Sequence, residues 1–262
     1  MTKKFFMMSL MALVVMTMTS CLHVKVGDKD WSVGGGHRND TPTQVHQVGQ
    51  ETTMQPFDEL NVCGPFNVIL NQGEASSVRV EGTAEQLGKI TIYVKDGGLY
   101  IDERESKWNN NDFKGMRIFV STPNIKNIDI AGSGDVTAPN ALTANGLLLE
   151  VAGSGDITLA QLKCHNLRIE IAGSGDVTTG PIEADEVNTE VAGSGDISIA
   201  GLTCKTLRNE IAGSGDMTFN NMNVDKVISE IAGSGDIYLL GKIGTHSEEI
   251  AGSGGVHINE KK

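Results

Sequence analysis

The chain has 262 residues, a net charge of -12 and 32 glycines, and only 5% of it is aromatic. That length suits one elongated domain or two small ones. An acidic chain without Lys/Arg clusters excludes a nucleic-acid partner and excludes docking on anionic lipid through a basic surface, since both need basic stripes.

Lys3 and Lys4 precede an apolar run from Phe5 to Met16, and small residues follow before Cys21. The run is shorter than the roughly 20 apolar residues of a spanning helix, so residues 1–20 read as a signal peptide. Met18-Thr19-Ser20-Cys21 resembles a bacterial lipobox, with Cys21 as the lipidated N-terminus after cleavage. An ordinary secretory signal with a nearby Cys is the other reading. Both export the chain. Lipidation makes the membrane a partner through the anchor and holds the chain at the cell envelope, at the outer membrane, on its periplasmic or its surface side. Residues 21–56 then form the lipidated Cys and a flexible tether, because Val33-Gly34-Gly35-Gly36 and Asn39-Asp40-Thr41-Pro42 have turn composition and no sustained period. His23, His37 and His46 lack partners at metal spacing and read as solvated.

Residues 57–122 read as a β-rich N-terminal part. Phe66–Leu70, Ser77–Glu81, Ile90–Val94, Leu99–Ile101 and Met116–Val120 are strand-like runs separated by Gly, Asn and Asp turns. Residues 84–89 are the one stretch with the look of a helical turn.

From 123 to 258 the chain repeats. Ala-Gly-Ser-Gly-Asp opens at Ala131, Ala152, Ala172, Ala192, Ala212 and Ala232, and a seventh copy at Ala251 ends in Gly255 instead of Asp. The steps are 21, 20, 20, 20, 20 and 19 residues. Residues 259–262 are a short charged tail. A fixed period marks a solenoid, whose units are too small to bury a core alone. Apolar residues recur one before each Ala (Ile171, Val191, Ile211), five after (Val177, Ile197, Met217) and five before (Leu167, Val187, Leu207). Many are β-branched, so the units are strands, and a 20-residue coil at about 3.3 Å per residue suits a three-sided tube with coils about 4.8 Å apart. Cys164 and Cys204 share one phase with Ala184 between them. Two coils separate them by about 9.6 Å, beyond disulfide reach, so both are expected to be free, small and buried.

Phe57-Asp58-Glu59-Leu60-Asn61-Val62, Gly64-Pro65-Phe66-Asn67-Val68, Asn71-Gln72-Gly73, Val94-Lys95-Asp96-Gly97-Gly98-Leu99 and the Pro123-Asn124 entry to the repeats together resemble the head-GIN-domain family of proposed autotransporter adhesins from Bacteroidetes-type bacteria. The resemblance covers residues 57–258. It implies an all-β, right-handed parallel β-helix and an adhesive role, and it brings no catalytic residues.

Around each Gly pair, Glu, Ala, Ser, Asp and Thr share one parity, so an extended segment turns them outward. Glu150, Glu170, Glu190, Glu210, Glu230 and Glu249 then form one solvated ladder. Ser154, Asp156, Ser174, Asp176, Ser194, Asp196, Ser214 and Asp216 form a flat candidate binding face for a glycan or protein surface. Like charges about 4.8 Å apart repel by roughly 0.9 kcal/mol even in water. Two readings relieve this. Calcium held by Glu170, Asp176, Glu190 and Asp196 is one. The other has Asp accepting backbone N–H bonds at the Gly bend while Glu stays solvated. The polar phases repeat monotonously and offer no nucleophile–base pair, so no residue is assigned as catalytic. The expected role is non-catalytic binding at the envelope. A structural periplasmic protein without an external ligand is the alternative, and a carbohydrate-active enzyme fits least.

Overall fold

The apolar phases stack as expected. The computed structural model describes residues 45, 47–104 and 112–259; the expected signal peptide, Cys21 and most of the expected tether lie outside the described residues. The strands are β1 (Glu51–Thr53), β2 (Glu59–Cys63), β3 (Asn67–Gln72), β4 (Ser77–Glu81), β5 (Ile90–Lys95), β6 (Gly98–Glu103), β7 (Arg117–Thr122), β8 (Asn127–Gly132) and β9 (Asp135–Thr143). Then follow β10 (Gly146–Gly153), β11 (Ile157–Lys163), β12 (Asn166–Gly173), β13 (Val177–Glu183), β14 (Glu186–Gly193), β15 (Ile197–Gly213), β16 (Met217–Gly233), β17 (Ile237–Gly252) and β18 (Val256–Asn259). Among the described residues there is one short helix, α1 (Ala84–Gly88), closed by a Thr83–Gln86 capping box.

The repeats form a parallel β-solenoid. Ala131, Ala152, Ala172, Ala192, Ala212, Ala232 and Ala251 lie one above the other in register. Val151, Ile171, Val191 and Ile211 make one inward row, and Ile157, Val177, Ile197 and Met217 another, all at most 1% exposed. Each such apolar side chain contributes about 1.5–3 kcal/mol by leaving water. In-and-out alternation breaks at three places per coil: at Ala160-Gln161, at His165-Asn166, and at the Ala-Gly-Ser bend. Those are the corners of a three-sided tube. The 21- and 19-residue steps are both absorbed at the first of these corners, where the registers of β9–β11 and β16–β17 slip.

Cys164 and Cys204 are free and buried. Burial pushes their thiols up to about 11 and about 12, so neither is a thiolate at neutral pH. One inward row was not expected to be polar. Leu149 and Ile169 are followed in it by Thr189, Asn209 and Ser229, each no more than 3% exposed. Thr189 Oγ1 donates to Asn209 Oδ1 at 2.9 Å, and Asn209 Nδ2 to Ser229 Oγ at 3.4 Å. Partnering within the row relieves the cost of burying these groups.

The Gly pair is required by backbone contact between coils. A Cβ on Gly193, whose φ is +141°, would lie 2.2 Å from the carbonyl oxygen of Gly173. A Cβ on Gly195 would lie 2.1 Å from that of Gly175. Ser194 N–H bonds to Gly173 O at 2.8 Å across the same gap.

The N-terminal part both continues the solenoid and closes it. β2 stacks parallel between β8 and β6, and β3 between β9 and β7. Gly64 thereby falls beside Gly132 at the common corner. Beyond β6 and β7 the pairing turns antiparallel, through β5 on β6, β4 on β7 and β1 on β4. These antiparallel strands cover an end that would otherwise offer free edges. β1 lies inside the stretch expected to be tether, and Val45 and Met54 are already buried there.

Candidate binding face

Two surfaces compete for a binding role: the Ser/Asp corner and the outward face beside it. At the corner, Ser154, Ser174, Ser194 and Ser214 are exposed, as are Asp156, Asp176 and Asp196, while Asp216 is half-buried. The aspartates do cap the bend, but between coils. Asp156 Oδ1 accepts the N–H of Asp176 at 2.9 Å, Asp176 that of Asp196 at 2.8 Å, and Asp196 that of Asp216 at 2.7 Å. Asp236 closes the series by accepting Gly255 N–H at 2.8 Å.

The calcium grouping is not assembled. Asp176 and Asp196 each spend a carboxylate oxygen on a backbone N–H. Glu170 is ion-paired with Arg168, which also reaches Glu190 at 3.4 Å. Among the described residues no three or more His, Cys, Asp or Glu side chains are placed to hold a metal ion.

The solvated Glu ladder needs correction. Glu150 and Glu170 are each only 5% exposed, Glu190 and Glu210 are half-buried, and Glu230 and Glu249 are open. In-register stacking places each Glu between carboxylate neighbours, and the Arg168 side chain lies against Glu170. The result is a groove of about 240 Å³ lined by Arg168, Asn188, Glu190, Arg208, Glu210 and Glu230. Burial, reinforced by the Asp129 and Glu170 charges, pushes the Glu150 carboxyl up to about 7. Burial, with Glu210 and Glu170 beside it, does the same to Glu190. Arg168 and Arg208 stand two coils apart with Asn188 between them. Arg168 neutralises part of the ladder, while Arg208 approaches Glu186 at 3.8 Å.

The same row extends beyond the repeats, through residues that are buried: Asp129 and Asn61 are 3% and 1% exposed. Glu150 lies beside Asp129, Asp129 beside Asn61, and Asn61 beside Tyr100. Tyr100 stacks on Tyr93 with ring centroids 5.3 Å apart. The row therefore runs from a tyrosine pair through an amide to a line of carboxylates. Neither tyrosine was singled out in the sequence. The signal was there, since Asn61-Val62-Cys63-Gly64 mirrors Asp129-Ile130-Ala131-Gly132.

The molecule thus combines a parallel solenoid with Gly corners, an N-terminal part stacked on it, and a repetitive outward face. Solved structures share this fold. A putative adhesin from Bacteroides fragilis superposes with a TM-score of 0.72 at 24% identity, covering 80% of this chain and 95% of that one. A putative lipid binding protein from Parabacteroides distasonis gives 0.70 at 24%, covering 86% and 98%. A putative adhesin from Parabacteroides merdae gives 0.63 at 18%, covering 84% and 97%. No curated protein matches the chain. The family described as putative auto-transporter adhesin, head GIN domain, matches residues 56–242, and the chain belongs to it.

Proposed function

We propose that the protein is a non-catalytic envelope lipoprotein, anchored through Cys21, that binds a glycan surface along its outward groove. The observation that carries this reading is a row with a stacked tyrosine pair, Tyr93 and Tyr100, at one end and the half-buried groove of Glu190 and Glu210 at the other, joined through the buried Asn61, Asp129, Glu150 and Glu170. A stacked aromatic pair offers a face for a sugar ring, and carboxylates and amides are acceptors and donors for hydroxyls. Repetition at one row per coil suits a linear polymer over a compact ligand. The family's description as an adhesin supports the same reading. A neutral or amino-bearing polysaccharide suits the groove better than an acidic one, because the row carries far more carboxylate than guanidinium.

Binding to a panel of immobilised polysaccharides tests this. The wild type is expected to retain a neutral or amino-sugar polymer, and Tyr100→Ala to weaken that retention about tenfold, the loss of one stacked contact worth roughly 1–2 kcal/mol. Binding unchanged in Tyr100→Ala and in Glu190→Gln would move the contact off this face. A wild type that retains no polysaccharide in the panel would favour the structural envelope protein without an external ligand.

A further inference from the structure

The corner at His165-Asn166 is held onto the coil before it by two N–H groups sharing one carbonyl, and the next two coils repeat this. His165 and Asn166 N–H bond to Asn145 O at 3.0 and 3.3 Å, Asp185 and Glu186 to His165 O at 2.9 and 3.0 Å, and Lys205 and Thr206 to Asp185 O at 3.0 and 3.2 Å. By phase, Asn145 and Gly146 should bond in the same way to Asn124 O. Among the described residues neither bond is made. The reason lies in the preceding coil. Alternate N–H groups along β10 face that coil, and Leu148 N–H reaches Lys126 O at 2.9 Å. β8 pairs with β10 only from Leu148 onward, so it has not begun opposite Gly146. The Asn124 carbonyl instead accepts the Thr122 hydroxyl, at 3.0 Å. The Gly146 N–H thus faces the preceding coil with no carbonyl there to hold it.

This N–H directly follows an exposed carboxamide, that of Asn145, and Asn145-Gly146 is the one Asn-Gly pair in the sequence. The backbone does not require Gly here. The φ of Gly146 lies outside the left-handed region, and a Cβ on it would meet only Asn166 O, at 3.8 Å. What Gly supplies is an unhindered nitrogen. We propose that Asn145 is a site of self-modification, converting in the folded protein to isoaspartate and aspartate. The Gly146 nitrogen attacks Cγ of Asn145 and forms a new C–N bond. The proton of that nitrogen and the side-chain amine leave together as ammonia, and a cyclic imide remains. Water then opens either imide carbonyl. Opening at one leaves Asp at 145; opening at the other leaves the chain running through the side-chain carbon, with a free α-carboxylate. Both products exchange NH2 for OH and add a carboxylate beside His165 in the stack. His165 Nδ1 already lies 2.7 Å from Asp185 Oδ2, so the ring then falls between two carboxylates. The isoaspartyl product also displaces the carbonyl that His165 and Asn166 use to hold their coil.

Ageing of the full-length protein in mildly alkaline buffer, below its melting temperature, tests this by peptide mass spectrometry and enzymatic isoaspartate methylation. The wild type is expected to gain the mass of an NH2-to-OH exchange at residue 145 and to become a methylation substrate. Gly146→Ala is expected to slow the conversion at least about tenfold, because the added methyl group shields the nitrogen. Its Cβ clears every neighbour by more than 3.4 Å, so the variant is expected to melt as the wild type does. A second variant, His165→Asn with Asn166→Gly, writes the same dipeptide one coil further on, where the N–H groups are bonded back. In that molecule the initial rate at residue 165 is expected to be about tenfold below that at residue 145, the cost of first breaking a backbone hydrogen bond. An unmodified residue 145 in the aged wild type, conversion as fast in Gly146→Ala, or equal initial rates at 165 and 145 in a chain that keeps its melting transition would each overturn the proposal.

Discussion

Gly195→Ala is expected to cost on the order of 4 kcal/mol of stability, among the largest effects of any single-atom change here. The added Cβ would sit 2.1 Å from the carbonyl oxygen of Gly175 and 2.8 Å from Cγ2 of Ile171. Neither neighbour can yield alone. Gly175 packs on Gly155 in the same way, and Ile171 is fully buried in the core row. Relief requires the coils to part, which breaks the Ser194 and Asp196 bonds between them. Because each coil touches only its neighbours, the damage should divide the solenoid into separately melting halves. Gly88→Ala is the control. It ends α1, a Cβ there meets nothing within 4 Å, and Ala favours helix. Urea unfolding of both variants checks the account. A loss below about 1 kcal/mol for Gly195→Ala would mean that the coils are not packed backbone to backbone.

The second large effect is a pH dependence with an unusual sign for an acidic protein. Glu150 and Glu190 have folded values near 7 against an ordinary 4.5, because burial and neighbouring carboxylates disfavour their charged forms. Groups with raised values stabilise the fold fully below the unfolded value, and that stabilisation is lost as pH rises through the folded one. Stability should therefore fall between about pH 5 and pH 8, by on the order of 3 kcal/mol. On the acid side the sign reverses. Asp185 is lowered by Lys205 and His165, and Glu81 by Arg79, and their contributions disappear as pH drops below the ordinary carboxylate range. A maximum near pH 5 follows. Glu190→Gln should flatten the decline and raise the melting temperature at pH 8. Melting curves that rise steadily from pH 5 to pH 8 in the wild type would contradict the half-buried ladder.

Much of the fold was legible because a solenoid writes its geometry into a single coil and repeats it. The period, the corner glycines, the inward Ile and Val rows and the unbridged Cys164 and Cys204 all depend on phase alone. What phase cannot show is the third dimension between coils. Glu170 has the parity of an outward residue, and parity says nothing of the Arg168 side chain lying against it. Asp176 reads as a local cap, yet its acceptor role is to the following coil, 20 residues on. Thr189, Asn209 and Ser229 look like surface residues because each is polar; only stacking reveals that they satisfy one another inside the tube. The placement of β2 and β3 between later strands was hidden for a different reason. The intervening α1, β5 and β6 interrupt the period, so Tyr100 could be joined to the Glu row only through the register of β6, β2 and β8.

The most direct test of an adhesive envelope lipoprotein is protease shaving of intact cells, with a known periplasmic protein as the control and mass spectrometry of what stays in the membrane. Loss of the 57–262 domain from intact cells, leaving a stub with an acylated Cys21, is the predicted result. Protection until the outer membrane is opened, or a membrane fraction in which Cys21 carries no acyl chain, would contradict it.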